Sequence, residues 1–364
     1  MFVRNFLVHI RLAAIPVLVF AVGFLILDLP LRAFQRATTP PPDMLVLSPK
    51  LADFKARADA FDVVFIGTSR TLYHIVPDEV EAGFVVAGCP EPSVYNFGVF
   101  GLKGAEQDWV VQQVMAADTG QLKTVIIETP LPEARDIEDA TSTRARFFND
   151  PNYLTWHIEA IFAYPESIAK QVFRLGIFML GVSYDQSGIG LSAERLFPPV
   201  KGPARFGFDF AYDGFEALGS QPNESILLRR KEFVDNPEMF TSNLQKYGAA
   251  SSEDVAPFAK YLANRLSEIE QAGLRSALFI APDPAELDRT PRIGPKVTST
   301  SPTATVLNFN RPDIYPSLFE RDLWYDESHL GFDGARQLSR MVGETLCQQQ
   351  SASHEQEGSD DAVR

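Results

Sequence analysis

Cysteine and histidine are both scarce: two cysteines, Cys89 and Cys347, and five histidines in 364 residues. Two thiols cannot build a disulfide framework, and their spacing leaves no Cys-x-x-Cys knuckle for a structural metal. Basic charge is short as well. Lys and Arg number 33 against 47 Asp and Glu, a formal charge of −14, so the chain has no basic excess with which to coat nucleic acid. No Gly-rich or basic cluster marks a phosphate loop, and no repeat recurs at solenoid or propeller periods. What is present, 45% hydrophobic and 22% charged residues, is the composition of a globular chain. Its length allows one large domain or two small ones.

The most apolar stretch comes first. Arg11 and Asp28 bracket an uncharged run of 16 residues, Leu12 to Leu27, which Phe6, Leu7, Ile10, Leu29 and Leu31 extend. With Arg11 snorkelling, about 20 residues can span a bilayer. The run is long for the core of a signal peptide, and DLPLRAFQRATTPPPD after it has no small-x-small cleavage pattern. We therefore expect one retained transmembrane helix within 1–36. Arg4, Arg11 and the terminal amine outweigh Arg32 and Arg36, which Asp28 offsets. That bias places the N-terminus in the cytoplasm and the body outside. A linker over 37–58 follows, stiffened by the three prolines between Thr38 and Asp43.

The body alternates strand and helix patterns. Phe61–Gly67, Lys123–Glu128, Arg275–Ala281 and the weaker Thr305–Phe309 are short apolar runs suited to buried strands. Ala105–Ala117, Val255–Gln271 and Gly331–Cys347 carry apolar residues at helical spacing, and Gly120 and Gly273 stop the first two. This order predicts an α/β domain over 59–347, a doubly wound parallel sheet with right-handed crossovers. Residues 134–252 are too long for one crossover and read as an insertion or cap. Within it Val172–Val182 is apolar but too short to span a bilayer, so a core helix of the insertion is expected. Arg144–Phe148 reads as a solvated loop. Residues 348–364 read as a disordered acidic tail. Cys89 and Cys347 can pair only if the fold brings them together, which spacing does not decide.

Two segments carry chemistry. The first strand runs into Gly67-Thr68-Ser69-Arg70, and ligands of open parallel sheets sit beyond the carboxyl ends of the strands. Ser69 at such a turn is a nucleophile if a base reaches it, and otherwise a helix cap. The second segment is Asp326-Glu327-Ser328-His329, just before the last helix. Its spacing lets Asp326 accept from the imidazole Nδ1–H and leaves Nε2 free as a base. His74 is the rival base, but only Asp78 lies near it in sequence, and a structural role is expected.

Together the two segments resemble the serine block and the final Asp-x-x-His block of the SGNH (GDSL-type) esterase and acyltransferase superfamily. GTSR (67–70) and DESH (326–329) match in residue type, order and position. The resemblance brackets roughly residues 60–347, with NFGVFG (96–101) as the only anchor between them. It implies a flavodoxin-like three-layer sandwich, with Ser69 as nucleophile, His329 as base and Asp326 as its orienting partner. It also implies an oxyanion hole drawing on the N–H groups of Ser69 and Gly98, with Gly101 as second choice. The chain departs from the family at the third block. Glu128-Thr129-Pro130 stands where Gly-x-Asn-Asp supplies an asparagine. Either Thr129 or Asn96 then completes the hole, with Arg70 on the substrate side, or two donors serve alone. One missing donor costs about 3 kcal/mol of transition-state stabilisation.

With the apolar run, the pattern is similar to the membrane-anchored envelope branch that includes alginate O-acetyltransferase-like and D-alanyl-lipoteichoic acid transfer proteins. That branch implies acyl transfer, chiefly acetyl, to a polysaccharide or glycan on the outer side of the cytoplasmic membrane. It also implies a multi-pass membrane O-acyltransferase as partner, and neither cofactor nor metal. The acidic balance disfavours a polyanion gripped over a wide face and suits a neutral glycan. Three alternatives stay open: a carbohydrate esterase or lipase-like hydrolase of the same fold, a non-catalytic binding scaffold, and a phosphate binder using Thr68, Ser69 and Thr71. The last leaves Asp326 and His329 unexplained.

Overall fold

A computed structural model describes residues 46–102, 104–129, 148, 158, 161–162, 167–186, 213–219, 224–247, 256–287, 293–301 and 304–361. Five short strands carry its centre: β1 Val63–Gly67, β2 Val94–Gly98, β3 Thr124–Glu128, β4 Arg275–Ile280 and β5 Thr305–Asn308. They form one all-parallel sheet in the order β2-β1-β3-β4-β5. β1, β2 and β3 are buried along their whole length, as expected of strands covered on both faces. The predicted α/β sheet is present. β2 was not anticipated, because the polar Asn96 interrupts its apolar run.

Among the described residues ten α-helices surround the sheet, in chain order α1 Leu47–Ala56, α2 Ser69–His74, α3 Pro77–Val86, α4 Gly104–Ala117, α5 Ile168–Gln186, α6 Glu224–Asp235, α7 Pro237–Gln245, α8 Ala256–Gln271, α9 Ile293–Thr300 and α10 Phe332–Asp361. The strand period of two sorts the core into layers. Val64, Ile66, Val125, Ile127 and Leu278 face one side, with Leu51 and Phe54 of α1, Val110 and Val114 of α4, and Leu262 and Leu266 of α8. Val63, Phe65, Ile126 and Phe279 face the other, with Val80 and Phe84 of α3 and Leu338, Val342 and Leu346 of α10. Helices on both faces of a parallel sheet are the doubly wound arrangement.

Several expectations change. The linker expected over 37–58 is core in its second half: Leu47, Leu51 and Phe54 of α1 are buried. Lys50, fully buried, donates through Nζ to the Asn96 carbonyl at 2.8 Å. Burial holds its pKa well below the usual lysine value. The stretch from Gln348, expected to be a disordered acidic tail, is helical instead as far as Asp361, where α10 ends. Gln, Ser, Ala and Glu continue a helix readily once the core has nucleated it. α5 is buried on one side only. Arg174 and Phe178 are covered, but Ile168, Val172, Phe173 and Leu180 are exposed, so a core helix is not what forms. Within 134–252, the stretch expected to be an insertion or a cap, Phe233 of α6 and Phe240 of α7 enter the same core as Trp324.

Cys89, after α3, and Cys347, on α10, form a disulfide with Cα atoms 5.9 Å apart. Among the described residues no helix is long and apolar enough to cross a membrane. The anchor expected over 1–36 and the residues Arg144 to Phe147 lie outside the described residues.

Candidate active site

The sheet brings the two sequence segments together at its carboxyl edge. β1 ends at Gly67, and α2 begins at Ser69. Thr68, not Ser69, is the helix cap: its side chain accepts from the Arg70 N–H. Capping is thus done by the neighbour, and the Ser69 hydroxyl lies 2.9 Å from His329 Nε2. Ser69 is half-buried. Its backbone N–H has no hydrogen-bond partner among the described residues.

His329 sits in a loop closed by the Trp324–Leu330 bridge. Asp326, buried to 1% exposure, accepts from the backbone N–H groups of Ser328 and His329 at 3.0 and 2.9 Å. His329 Nδ1 lies 2.9 Å from Asp326 Oδ1 and 3.1 Å from Oδ2. Burial would push the Asp326 carboxyl up, but the bonds from His329 and Ser328 and the Arg229 charge outweigh it and hold it at about 2. A carboxylate so held fixes the imidazole with Nδ1 protonated and Nε2 free to accept. The Tyr73 ring stands edge-on to the His329 ring at 5.6 Å.

Other elements fix the loop. Arg230 of α6 donates to the carbonyls of Trp324 and Tyr325 at 2.9 and 2.7 Å. His74, fully buried, accepts the Leu330 N–H at Nε2, 3.0 Å away. Burial, together with nearby His329 and Arg70, holds His74 well below the usual histidine pKa. Its acceptor nitrogen is thus engaged behind the loop, which is a structural position.

The expected oxyanion donors are placed differently. Asn96 Nδ2 donates to the carbonyls of Thr71, Leu72 and Ile75, at 2.8, 3.3 and 2.6 Å. Asn96 Oδ1 accepts the Gly98 N–H at 2.8 Å. The Thr129 N–H and hydroxyl both donate to the Phe279 carbonyl, at 3.0 and 3.2 Å. The donors of Asn96, Gly98 and Thr129 are therefore spent inside the protein, pinning α2 to β2 and β3 to β4. Gly101 has a left-handed backbone, φ +55°.

Arg70 reaches across the strand tips. Its Nε donates to Glu128 Oε1 at 2.9 Å and its Nη1 to Asp283 Oδ2 at 2.5 Å. Burial raises the Asp283 carboxyl to about 6 in spite of the Arg70 charge. Beneath them, Gln107 of α4 donates to the Ile66 and Glu128 carbonyls at 3.0 and 2.9 Å. Glu128, Asp283, Gln107 and Arg230 were not singled out from sequence. Only Glu128 left a signal, as a charge closing the buried run KTVIIE. Among the described residues no group of three or more His, Cys, Asp or Glu is placed to hold a metal ion.

The arrangement can move a proton from a hydroxyl to an imidazole whose far nitrogen faces a carboxylate, beside a Ser69 N–H that has no partner among the described residues. No family model matches the chain, and neither does any curated protein.

Proposed function

We propose that the chain is a serine-dependent acyl-transfer enzyme of the SGNH type, and that its sheet, ordered 2-1-3-4-5, is the flavodoxin-like sandwich of that superfamily. One observation carries the reading: Ser69, His329 and Asp326 stand in a single hydrogen-bonded line at the carboxyl edge of a parallel sheet. His329 Nε2 takes the Ser69 proton as Oγ attacks the acyl carbonyl. The Ser69 N–H, without a hydrogen-bond partner among the described residues, is the donor for the developing oxyanion. His329 then passes the proton to the leaving group, and an acceptor hydroxyl discharges the acyl-serine.

An envelope-facing, membrane-anchored O-acyltransferase acting on a glycan suits the uncharged run Leu12–Leu27. A disulfide also belongs to an oxidising compartment. A multi-pass membrane acyltransferase that delivers the acyl group is the corresponding partner. Hydrolysis uses the same triad and differs only in admitting water.

A second reading is favoured by the occupied donors of Asn96, Gly98 and Thr129: a scaffold that binds a glycan and turns over poorly. Incubation with p-nitrophenyl acetate, followed by intact-mass spectrometry, separates the two. The enzyme reading expects an acetyl adduct on Ser69 that a polysaccharide discharges faster than water does. No adduct in the wild-type chain, and none in a Ser69→Ala control, supports the scaffold.

A further inference from the structure

β3 is the middle strand of the sheet, and its last residue is an acid buried on all sides. The Glu128 side chain is 1% exposed. A carboxylate there is costly unless donors surround it, and here they do. Oε2 accepts from the Thr68 N–H at 2.7 Å, the Thr71 N–H at 3.2 Å and the Thr71 hydroxyl at 2.7 Å. Oε1 accepts from the Thr68 hydroxyl at 2.8 Å and from Arg70 Nε at 2.9 Å.

These donors belong to residues 68, 70 and 71, which bracket Ser69 on both sides while Ser69 itself is left out. The backbone has been shaped to admit the carboxylate. A Cβ on Gly67 would lie 2.4 Å from Glu128 Oε2 and 2.0 Å from the Thr71 hydroxyl, so only glycine fits. Capping does not need the acid, because Thr68 already accepts the Arg70 N–H. Arg70 extends the clasp to β4 through Asp283.

We propose that Glu128 is a positioning residue for the Ser69 nucleophile: it locks the turn around Ser69 from both sides and leaves the Ser69 hydroxyl to meet His329. The inference rests on Ser69 being the nucleophile. It accounts for an acid at the tip of β3, because only a carboxylate accepts all five of these bonds at once.

The test uses the full chain and a fluorophosphonate probe, with the limiting labelling rate and the half-saturating probe concentration measured separately. Glu128→Gln keeps the volume but must turn an NH2 group towards one of the two donor sets. Labelling is measured where circular dichroism shows both proteins folded. The limiting rate falls about 100-fold, as expected for a nucleophile displaced by about 1 Å, while half-saturation moves less than about twofold. A folded Glu128→Gln that labels at the wild-type rate overturns the proposal.

If Glu128→Gln does not fold, Thr71→Val removes one of the five bonds at constant shape. It slows labelling about tenfold, the size of one charge-assisted bond, and a wild-type rate in that variant overturns the proposal equally. A wild-type chain that is never labelled removes the nucleophile, and the positioning role with it. A labelled wild type with unaffected variants removes the positioning role alone.

Discussion

The backbone N–H of Gly98 donates to the side-chain oxygen of Asn96 at 2.8 Å, so two groups expected around an oxyanion are occupied by each other. Asn96 also spends its amide on three carbonyls of α2 and the residue after it. The pair works as a rivet between β2 and the helix that bears Ser69. Asn96→Ala leaves those carbonyls and the Gly98 N–H unmet and lowers stability by about 3 kcal/mol or more, read as a shift of the urea midpoint. The folded fraction still labels at Ser69 to within about tenfold. A loss of 10²–10³-fold, the signature of a deleted oxyanion donor, would make Asn96 catalytic after all.

Close packing of β2 on α2 also restricts Gly98. A Cβ there would lie 2.1 Å from the Leu72 nitrogen and 2.4 Å from its Cα. Gly98→Ala is expected to cost about 1–3 kcal/mol and to slow Ser69 labelling, because α2 must shift. Unchanged thermal unfolding would show that this packing is looser than drawn.

For the triad itself, Ser69→Ala and His329→Ala each lower acyl transfer by at least about 10³-fold with the fold retained. Asp326→Asn loses about 10⁴-fold, because the imidazole no longer holds its proton on Nδ1. Activity surviving in both Ser69→Ala and His329→Ala would end the serine-enzyme reading.

Asp283 predicts a pH dependence of stability. Its carboxyl is raised from 3.8 to about 6 by burial, against the pull of Arg70. Below about pH 4 the folded and unfolded chains both hold the proton. Between about 4 and 6 only the folded chain holds it, so stability falls as pH rises through that window. Above about 6 both have released it, and the deficit stays constant at about 3 kcal/mol. Asp283→Asn, which cannot ionise, should gain on the wild type by up to that amount between pH 4 and 7 in parallel denaturant titrations. A pH-independent difference between the two proteins would contradict the assignment.

Most of the sheet was legible because its strands are buried on both faces. VVFIG, TVIIE and RSALFI are nearly uncharged runs, and such runs announce themselves. β2 was hidden by Asn96, whose polarity is used up in hydrogen bonds that only the folded chain provides. Ser69, His329 and Asp326 were readable because their chemistry is local: a residue after a strand, and an acid three residues before a histidine. Glu128, Asp283 and Arg230 act across 58, 213 and 94 or 95 residues of chain. No spacing rule connects positions so far apart. α1 was missed because its apolar residues fill fewer than three turns beside a proline-rich stretch.

The Cys89–Cys347 disulfide closes a loop across 258 residues and ties α3 to the helix that follows the His329 loop. Cys89→Ser with Cys347→Ser should lower stability by about 2–5 kcal/mol. In the wild type neither thiol should react with iodoacetamide, even in denaturant, until a reductant is added. Alkylation of the unreduced, unfolded chain would show that the bond does not form.

Ser69 and His329 stand 260 positions apart in the chain. A ribosome adding roughly 5–20 residues per second needs about 13–50 s to pass from one to the other. Throughout that interval the serine is present without its hydrogen-bond partner His329. On the proposed serine-enzyme reading, the growing chain is chemically silent until its last segment joins, and any break between the two residues that lets the halves part returns it to silence.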